Sequence, residues 1–332
     1  MNACHRPLIS VVGAGRMGRG IALFFAYSGY PAWLIDSEAR PAAAFLELQR
    51  SVITELGAEL QFLQDLDIVS GQQVAAILAR IRVLEKPAGE AVLADADFVF
   101  EAVAEVPEIK QHTYAWMHEH VGANAIVAST TSTMTADSLA VQCRFPARFA
   151  NAHWLNPAYL MPLVEISPAA QTGDATVGAL RKLLEGLGKV TVLCRSSPGY
   201  IVSRIQALAM NEAARLVEEG VASAEDIDKA TRIGFGIRYA VLGMLEFIDW
   251  GGGDILYHAS NYLAQNIDEQ RFSPPDIVRR NMEQGRGGLR DGKGFYDYGD
   301  IDVDAYRRQR LGAFVRLLQH SKLMPHAAGD SN

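Results

Sequence analysis

The chain has 332 residues, of which 49% are apolar and 21% charged, and its formal net charge is −7. This composition is typical of a globular protein with a large core, and the length favours two domains. The acidic balance does not favour nucleic acid or an anionic membrane surface as a partner. No apolar run approaches the roughly 18 residues of a membrane-spanning helix, so no membrane segment is expected.

The three cysteines, Cys4, Cys143 and Cys194, form no CxxC pair. Such spacing is typical of reduced thiols in a cytoplasmic protein. With no signal-peptide pattern at the N-terminus, the sequence predicts a cytoplasmic protein whose partner is a small molecule, and no metal site is expected.

Apolar runs alternate with helical patterns through the first part of the chain. The predicted strands lie at residues 8–12, 31–35, 98–100, 125–128, around 149, 164–166 and 190–193. A first helix is predicted over 18–29, and residues 38–85 form a long, nearly unbroken helical stretch with a turn near 70–71. Strands that alternate with helices predict an α/β fold with a doubly wound parallel sheet and a helical insertion.

The pattern changes after the Ser-Ser-Pro-Gly segment at residues 196–199. From Ile201 onward, apolar residues recur at helical spacing and the strand-like runs end. We therefore predict two domains, a Rossmann-type domain over 1–195 and an all-helical C-terminal domain over 196–332.

A glycine-rich turn follows the first predicted strand. It reads Gly13, Ala14, Gly15, Arg16, Met17, Gly18 and opens a helix, and Asp36 ends the next strand 18 residues after Gly18. In this context the first glycine permits a tight turn, the second lets the backbone approach a pyrophosphate, and the third allows close helix packing. A carboxylate at Asp36 suits the ribose hydroxyls of NAD and would repel the 2′-phosphate of NADP.

Among the eight histidines, His153 alone follows an extended segment and precedes a proline-containing turn. Histidine is the usual general base for a secondary alcohol near neutral pH. On chemistry alone, a packed or surface role for His153 stays open. Glu165 follows twelve residues later, at the end of an apolar run, where a carboxylate would be poorly solvated unless it is paired.

The stretch from His153 to Glu165 resembles the HxxNPxxxMxLVE signature of the 3-hydroxyacyl-CoA dehydrogenase family. The resemblance implies NAD-dependent oxidation of a short-chain L-3-hydroxyacyl-CoA in fatty acid metabolism, with His153 as the base and Glu165 orienting it. By the same resemblance, Ser132 bonds the reacting oxygen and Asn156 contacts nicotinamide and substrate. The family also implies a homodimer formed through the C-terminal helices.

Further cofactor contacts are implied by motifs elsewhere in the chain. The residues from Gly13 to Ala22 are similar to the family's GAGxMGxGIA pattern, and those from Glu101 to Glu105 to its EAxxE segment. The resemblance assigns Glu105, Lys110, Ser132 and Asn156 to the cofactor. Arg290 stands where the family has a lysine that reaches it, although a guanidinium is a different donor from an ammonium.

Two departures from the family pattern concern the substrate. Ser203 replaces the asparagine of the family's PGFxxNR motif, so an amide contact is lost or changed. Counting from Asp36 places Val52 and Glu59 where the family has a CoA-contacting serine and lysine, and no Lys or Arg occurs between Arg50 and Arg80. This acidic segment would weaken the binding of CoA phosphates.

Three alternatives therefore stay open. Relatives of the L-gulonate and carnitine dehydrogenase kind act on free 3-hydroxy acids, and residues 234–240 look like the gulonate branch, which would let Arg238 pair with a substrate carboxylate. A non-catalytic NAD-binding protein of the crystallin kind is a second alternative. A 3-hydroxyisobutyrate-type enzyme is a third, but it needs a helical lysine, and none occurs between Lys189 and Lys229.

Overall fold

The computed structural model describes residues 6–325. The chain divides between Met210 and Asn211 into two compact units, called the first and second unit below. The sequence prediction put the domain boundary at 195/196 instead, and that boundary stays a prediction. Of the cysteines, Cys143 and Cys194 are free thiols, and Cys4 lies outside the described residues.

The first unit contains an eight-stranded sheet with strand order β3-β2-β1-β4-β5-β6-β7-β8. Its strands are β1 (Ile9–Val12), β2 (Ala32–Ile35), β3 (Ile81–Leu84), β4 (Phe98–Glu101), β5 (Ile126–Ser129), β6 (Phe149–Trp154), β7 (Leu163–Pro168) and β8 (Val190–Leu193). Neighbouring strands run parallel except β6 and β7, which are antiparallel. The predicted doubly wound α/β fold is confirmed, and this one antiparallel pair is its departure from a fully parallel sheet.

Helices connect these strands, as alternating patterns require. They are α1 (Arg16–Tyr27), α2 (Ala42–Asp65), α3 (Gly71–Leu78), α4 (Lys86–Asp95), α5 (Pro107–His120), α6 (Ala136–Ala140), α7 (Asp174–Gly186) and α8 (Val202–Glu218), with a short 3₁₀ turn at Pro146–Arg148. The division between the two units falls inside α8.

The core of the first unit lies between the sheet and its covering helices. All four residues of β1 are buried, as expected for a parallel strand covered on both faces. Four aromatic rings, those of Phe24, Phe25, Phe100 and Trp154, pack with centroids 5.2 to 6.0 Å apart. Trp154 directly follows His153, so this cluster fixes the strand that carries the candidate base.

The predicted helical stretch over 38–85 is wrong at its end. Residues 42–65 and 71–78 are helical, with Ser70 as a capping-box residue near the predicted turn, but Ile81–Leu84 form the edge strand β3. In this strand Arg82 is exposed between buried Ile81 and Val83, because the strand lies at the edge of the sheet. Four residues of mixed polarity after a helix gave too short a pattern to distinguish a strand.

The second unit is helical, as predicted. It contains the end of α8, then α9 (Ala224–Ala230), a π-helical turn (Thr231–Gly236), α10 (Ile237–Val241), α11 (Met244–Gly251), α12 (Gly253–Asn266), α13 (Glu269–Phe272), α14 (Asp276–Glu283), a 3₁₀ turn (Leu289–Asp291) and α15 (Val303–His320). Buried Asp249 accepts bonds from the N–H groups of Phe295 and Tyr296, which fixes the Gly-Phe-Tyr segment. No helix within residues 6–325 is both long and apolar enough to cross a bilayer.

Candidate active site

The glycine turn lies between β1 and α1. Gly13 has φ +108°, and a Cβ there would lie 2.7 Å from the carbonyl oxygen of Ala102, so only glycine fits. At Gly18 a Cβ would lie 1.8 Å from the carbonyl oxygen of Gly13. A Cβ at Gly15 would meet no atom within 4 Å, and no side chain caps α1 there. The open space and the free N–H groups of this helix start fit a dinucleotide pyrophosphate.

Two residues of the turn and one at the end of β2 complete this cofactor region. Arg16 is exposed, and Met17 packs partly against the main core. Asp36 is 3% exposed, and its Oδ2 accepts a hydrogen bond from Arg40 Nε at 2.6 Å, which raises the pKa of Arg40. The carboxylate predicted for the ribose hydroxyls is therefore already held by a cation.

Glu101, at the end of β4, is the centre of a buried polar cluster. Its oxygens accept from Lys110 Nζ at 2.8 and 2.9 Å, and the hydroxyls of Tyr114 and Ser129 donate to Oε2 at 2.8 and 2.7 Å. Lys110 is only 1% exposed. Lys110 Nζ is bonded to Glu101 at the carboxyl end of the central strand β4, and the predicted direct contact of Lys110 with the cofactor stays a prediction.

Glu105 and Ser132 are brought together by the loops that follow β4 and β5, two adjacent parallel strands. Glu105 Oε1 accepts from the N–H groups of Ser132 and Thr133 at 2.9 and 2.8 Å, and from the hydroxyl of Thr131. Burial acts to raise the pKa of Glu105, but these hydrogen bonds lower it overall. The carboxylate thus fixes the loop that carries the half-buried Ser132, at the carboxyl edge where doubly wound sheets bind ligands.

His153 and Glu165 are cross-strand neighbours in the antiparallel pair β6 and β7. Directly opposed residues project from the same face, so the register brings the two side chains together. His153 Nδ1 lies 2.7 Å from Glu165 Oε2, and the residues are 4% and 1% exposed. A carboxylate accepts only, so Nδ1–H donates to it and Nε2 keeps its lone pair.

The second oxygen of Glu165 is held by two backbone amides where α8 begins. Oε1 accepts from the N–H groups of Ile201 and Val202, each at 3.0 Å. Burial acts to raise the pKa of Glu165, but the bonds from His153 and from these two amides lower it below its ordinary value. The carboxylate therefore stays ionised in a buried place and fixes the imidazole through one ring nitrogen.

Tyr200 is a residue of this site that the sequence analysis did not single out. Its ring stacks on His153 with centroids 6.2 Å apart, and its hydroxyl donates to the carbonyl oxygen of Met134. Burial raises the pKa of Tyr200 far above its ordinary value, so the hydroxyl stays neutral. The signal was present in the sequence, because Tyr200 occupies the aromatic position of the Pro-Gly-aromatic motif beside the predicted domain boundary.

Asn156 and Ser203 lie close along the chain to residues of the His153–Glu165 site. Asn156 is exposed, three residues after His153, and precedes a cis proline. Ser203 is half-buried in the first turn of α8, next to the Val202 amide that bonds Glu165. Their predicted contacts with substrate and nicotinamide stay predictions.

Arg238 and Arg290 belong to the second unit. Arg238 lies on α10 with its guanidinium 5.5 Å from the centre of the Phe247 ring. Arg290, in the 3₁₀ turn, is paired with Asp291 at 3.3 Å and Asp254 at 3.6 Å. Both are exposed cations, and their predicted contacts with substrate and cofactor stay predictions.

The helical insertion has a different character from the one expected of a CoA site. Val52 is fully buried, because it lies on the apolar stripe of α2 that also contains Leu56, Leu60 and Leu63. Glu59 is half-buried, and burial together with nearby Glu55 raises its pKa. Val52 therefore cannot contact a ligand, and the side chain at 59 is an acid.

Comparison with known proteins identifies this arrangement. The family model of the 3-hydroxyacyl-CoA dehydrogenase NAD binding domain matches residues 8–197, and that of the C-terminal domain matches residues 199–298. The chain belongs to the 3-hydroxyacyl-CoA dehydrogenase family. It is an NAD-dependent oxidoreductase of this family that acts on a CH–OH group, so the alternative of a non-catalytic NAD-binding protein is not supported.

Among its relatives, a probable 3-hydroxybutyryl-CoA dehydrogenase of Deinococcus radiodurans is 32% identical, over 87% of this chain and 99% of that one. A 5-formyl-3-hydroxy-2-methylpyridine 4-carboxylate 5-dehydrogenase of Mesorhizobium japonicum is 28% identical, over 94% and 98%. The crystal structure of a 3-hydroxyacyl-CoA dehydrogenase from Archaeoglobus fulgidus is similar with a TM-score of 0.73 at 30% identity, over 96% of this chain and all of that one.

Proposed function

We propose that the protein oxidises the secondary hydroxyl of an L-3-hydroxyacyl compound to the 3-oxo product, with His153 as general base. The observation that carries the proposal is the buried His153–Glu165 pair, whose carboxylate is held on its other side by two backbone amides. NAD, when bound, accepts the hydride that leaves the hydroxyl-bearing carbon.

The residues of the chain supply the remaining chemistry. His153 Nε2 takes the hydroxyl proton, and Glu165 stabilises the imidazolium that forms. Ser132, held through its N–H by Glu105, donates its hydroxyl to the reacting oxygen. Asn156 positions nicotinamide and substrate, and Gly13 to Gly18 with Asp36 hold the dinucleotide.

A short-chain L-3-hydroxyacyl-CoA is the first candidate substrate. Its support is the family itself, in which relatives named as 3-hydroxybutyryl-CoA dehydrogenases match 87% of this chain.

A free hydroxy acid is the second candidate, and the insertion favours it. Val52 is buried in the core and Glu59 is an acid, so neither residue provides a donor for CoA phosphates. The Mesorhizobium relative, which matches 94% of this chain, is named for a free pyridine carboxylate substrate.

The test is NADH formation from a panel of (S)-3-hydroxybutyryl-CoA, L-gulonate, carnitine and 3-hydroxybutyrate. His153→Gln should lower kcat about 10²- to 10⁴-fold, the usual contribution of a general base. The exposed His112 of α5 serves as the matched control, and His112→Gln should leave kcat unchanged. Full activity of His153→Gln would overturn the mechanism, and turnover of the thioester alone would exclude the free-acid substrate.

We also propose a cytoplasmic homodimer formed through the second unit. No side chain of helix α12 is fully buried within the single chain, and its Ile255 and Tyr262 are 64% and 66% exposed. The two residues stand seven positions apart and so share one face of the helix, and apolar side chains grouped on one face form the kind of patch that marks an interface. Light scattering after size exclusion should give a dimer, and Ile255→Glu with Tyr262→Glu should give a monomer; a monomeric wild type would contradict the proposal.

A further inference from the structure

Lys189 is a buried lysine without an acidic partner. It lies between α7 and β8 and is 5% exposed. Its Nζ donates to the carbonyl oxygens of Ala158 and Met161, each at 2.6 Å, and it pairs with no carboxylate among residues 6–325. Burying an ammonium without a counter-charge is costly, so a lysine at this place needs an explanation.

Two aromatic rings replace the missing counter-charge. Lys189 Nζ lies 4.2 Å from the centre of the Phe24 ring and 5.0 Å from that of Trp154. Ring faces attract a cation, most strongly when water is excluded. Burial nevertheless lowers the pKa of Lys189 to about 8, so the cost of the charge is only partly offset.

The two carbonyl groups belong to the segment that joins β6 to β7, residues 155–162. Within it, the N–H groups of Leu160 and Met161 both donate to the carbonyl oxygen of Pro157, which forms a compact turn. The ammonium binds this turn at Ala158 and Met161, and an apolar side chain at 189 would leave both carbonyls without this donor. Asn156 stands at the start of the same segment, three residues after His153.

We propose that Lys189 is a positioning residue: its ammonium fixes the Ala158–Met161 turn and thereby holds Asn156 at the end of the strand that carries His153. The inference rests on the proposed function, since it takes Asn156 as the group that positions nicotinamide and substrate. The dinucleotide turn at residues 13–18 is held by its own hydrogen bonds, from the Gly13 N–H to the carbonyl oxygen of Ile35 at 2.9 Å and from Arg19 Nε to that of Ala14 at 2.8 Å. Loss of the ammonium should therefore act on kcat more than on the affinity for NADH.

The test compares Lys189→Met with Lys182→Met, its control on the exposed face of α7. We expect Lys189→Met to lower kcat about tenfold to hundredfold, the effect of a misplacement of about 1 Å. The Kd for NADH should stay within about twofold, and Lys182→Met should behave as wild type. Wild-type kcat in Lys189→Met would overturn the proposal, whatever its thermal stability.

Two further measurements test the proposal if Lys189→Met folds poorly or if no compound of the substrate panel is turned over well. Lys189→Gln keeps amide donors at this place, so its kcat should lie between those of wild type and Lys189→Met. Chymotrypsin should cut the 155–162 segment, at Tyr159 or the half-exposed Leu160, faster in either variant. Wild-type kcat or an unchanged cleavage rate in Lys189→Gln would also overturn the proposal.

His153→Gln in the same assay distinguishes failure of the proposed function from failure of the positioning role of Lys189. If His153→Gln keeps its activity, the proposed function fails. If His153→Gln is inactive while Lys189→Met is fully active, only the positioning role of Lys189 fails.

Discussion

Replacing Glu165 by glutamine tests the candidate site most directly. The carboxylate accepts three hydrogen bonds, from His153 Nδ1 at 2.7 Å and from the amides of Ile201 and Val202 at 3.0 Å. A glutamine has one oxygen and one NH₂ group, so it cannot accept from both sides. If its oxygen stays on the two amides, its NH₂ faces His153 and donates to Nδ1. The proton then moves to Nε2, and the imidazole can no longer take a proton from the substrate.

The size of the expected loss in kcat follows from the change of the His153 tautomer. In Ser-His-Asp triads the corresponding amide substitution lowers kcat about 10⁴-fold because it selects the wrong tautomer. We expect a loss of about 10³- to 10⁴-fold for Glu165→Gln, which is about 4 to 5.5 kcal/mol in the activation barrier. The side chain keeps its shape, so the Kd for NADH should change little.

The assay is the steady-state appearance of NADH with the best substrate of the panel. Glu119→Gln provides the matched control, because Glu119 is exposed on α5 and should tolerate the change. The reasoning fails if Glu165→Gln keeps kcat within about threefold of wild type, since the wrong tautomer would then carry no penalty.

Three further predictions concern substrate, stability and pH. Glu59→Lys should lower the KM for 3-hydroxybutyryl-CoA about tenfold to hundredfold, because a cation replaces an acid near the phosphates; an unchanged KM would place CoA elsewhere. Lys110→Met should lower the free energy of unfolding in urea by about 3–5 kcal/mol, because it leaves the buried Glu101 unpaired, whereas Lys182→Met should have little effect. The pKa of Glu165 is lower in the folded than in the unfolded chain. Its contribution to the free energy of unfolding is therefore full above about pH 5 and is lost as the pH falls through the pKa of the folded state. Urea titrations from pH 6 to 3 should therefore show a smaller loss for Glu165→Gln than for wild type.

The sequence predicted seven of the eight strands, including β8 at one edge of the sheet. Val11 and Leu34 belong to apolar runs buried on both faces, a pattern that only covered parallel strands show. The edge strand β3 was missed because Arg82 interrupts its four residues and a helix precedes it. The other edge strand, β8, was recognised because its Val-Thr-Val-Leu run contains no charged residue.

The site was predicted as a set of residues rather than as a set of contacts. The His153–Glu165 spacing was visible, but the two amides that hold Glu165 come from the start of α8, and a backbone N–H has no signature in a sequence. For Lys110, the sequence motif was visible but the contact that the side chain makes was not. Its motif indicated a cofactor contact, while its buried partner Glu101 could be recognised only once β4 and α5 were packed together.

The antiparallel pair β6 and β7 could have been inferred from the length of its connection. Only residues 155–162 join the two strands, and a crossover between parallel strands needs about a dozen residues or more. A short connection reverses the chain, and in an antiparallel pair opposed residues share a face, so His153 and Glu165 can meet across it. A shift of one residue would turn one of the two side chains to the other face of the sheet. The segment that sets this register is the one that Lys189 binds, so the same eight residues that carry Asn156 also bring the base and its carboxylate together.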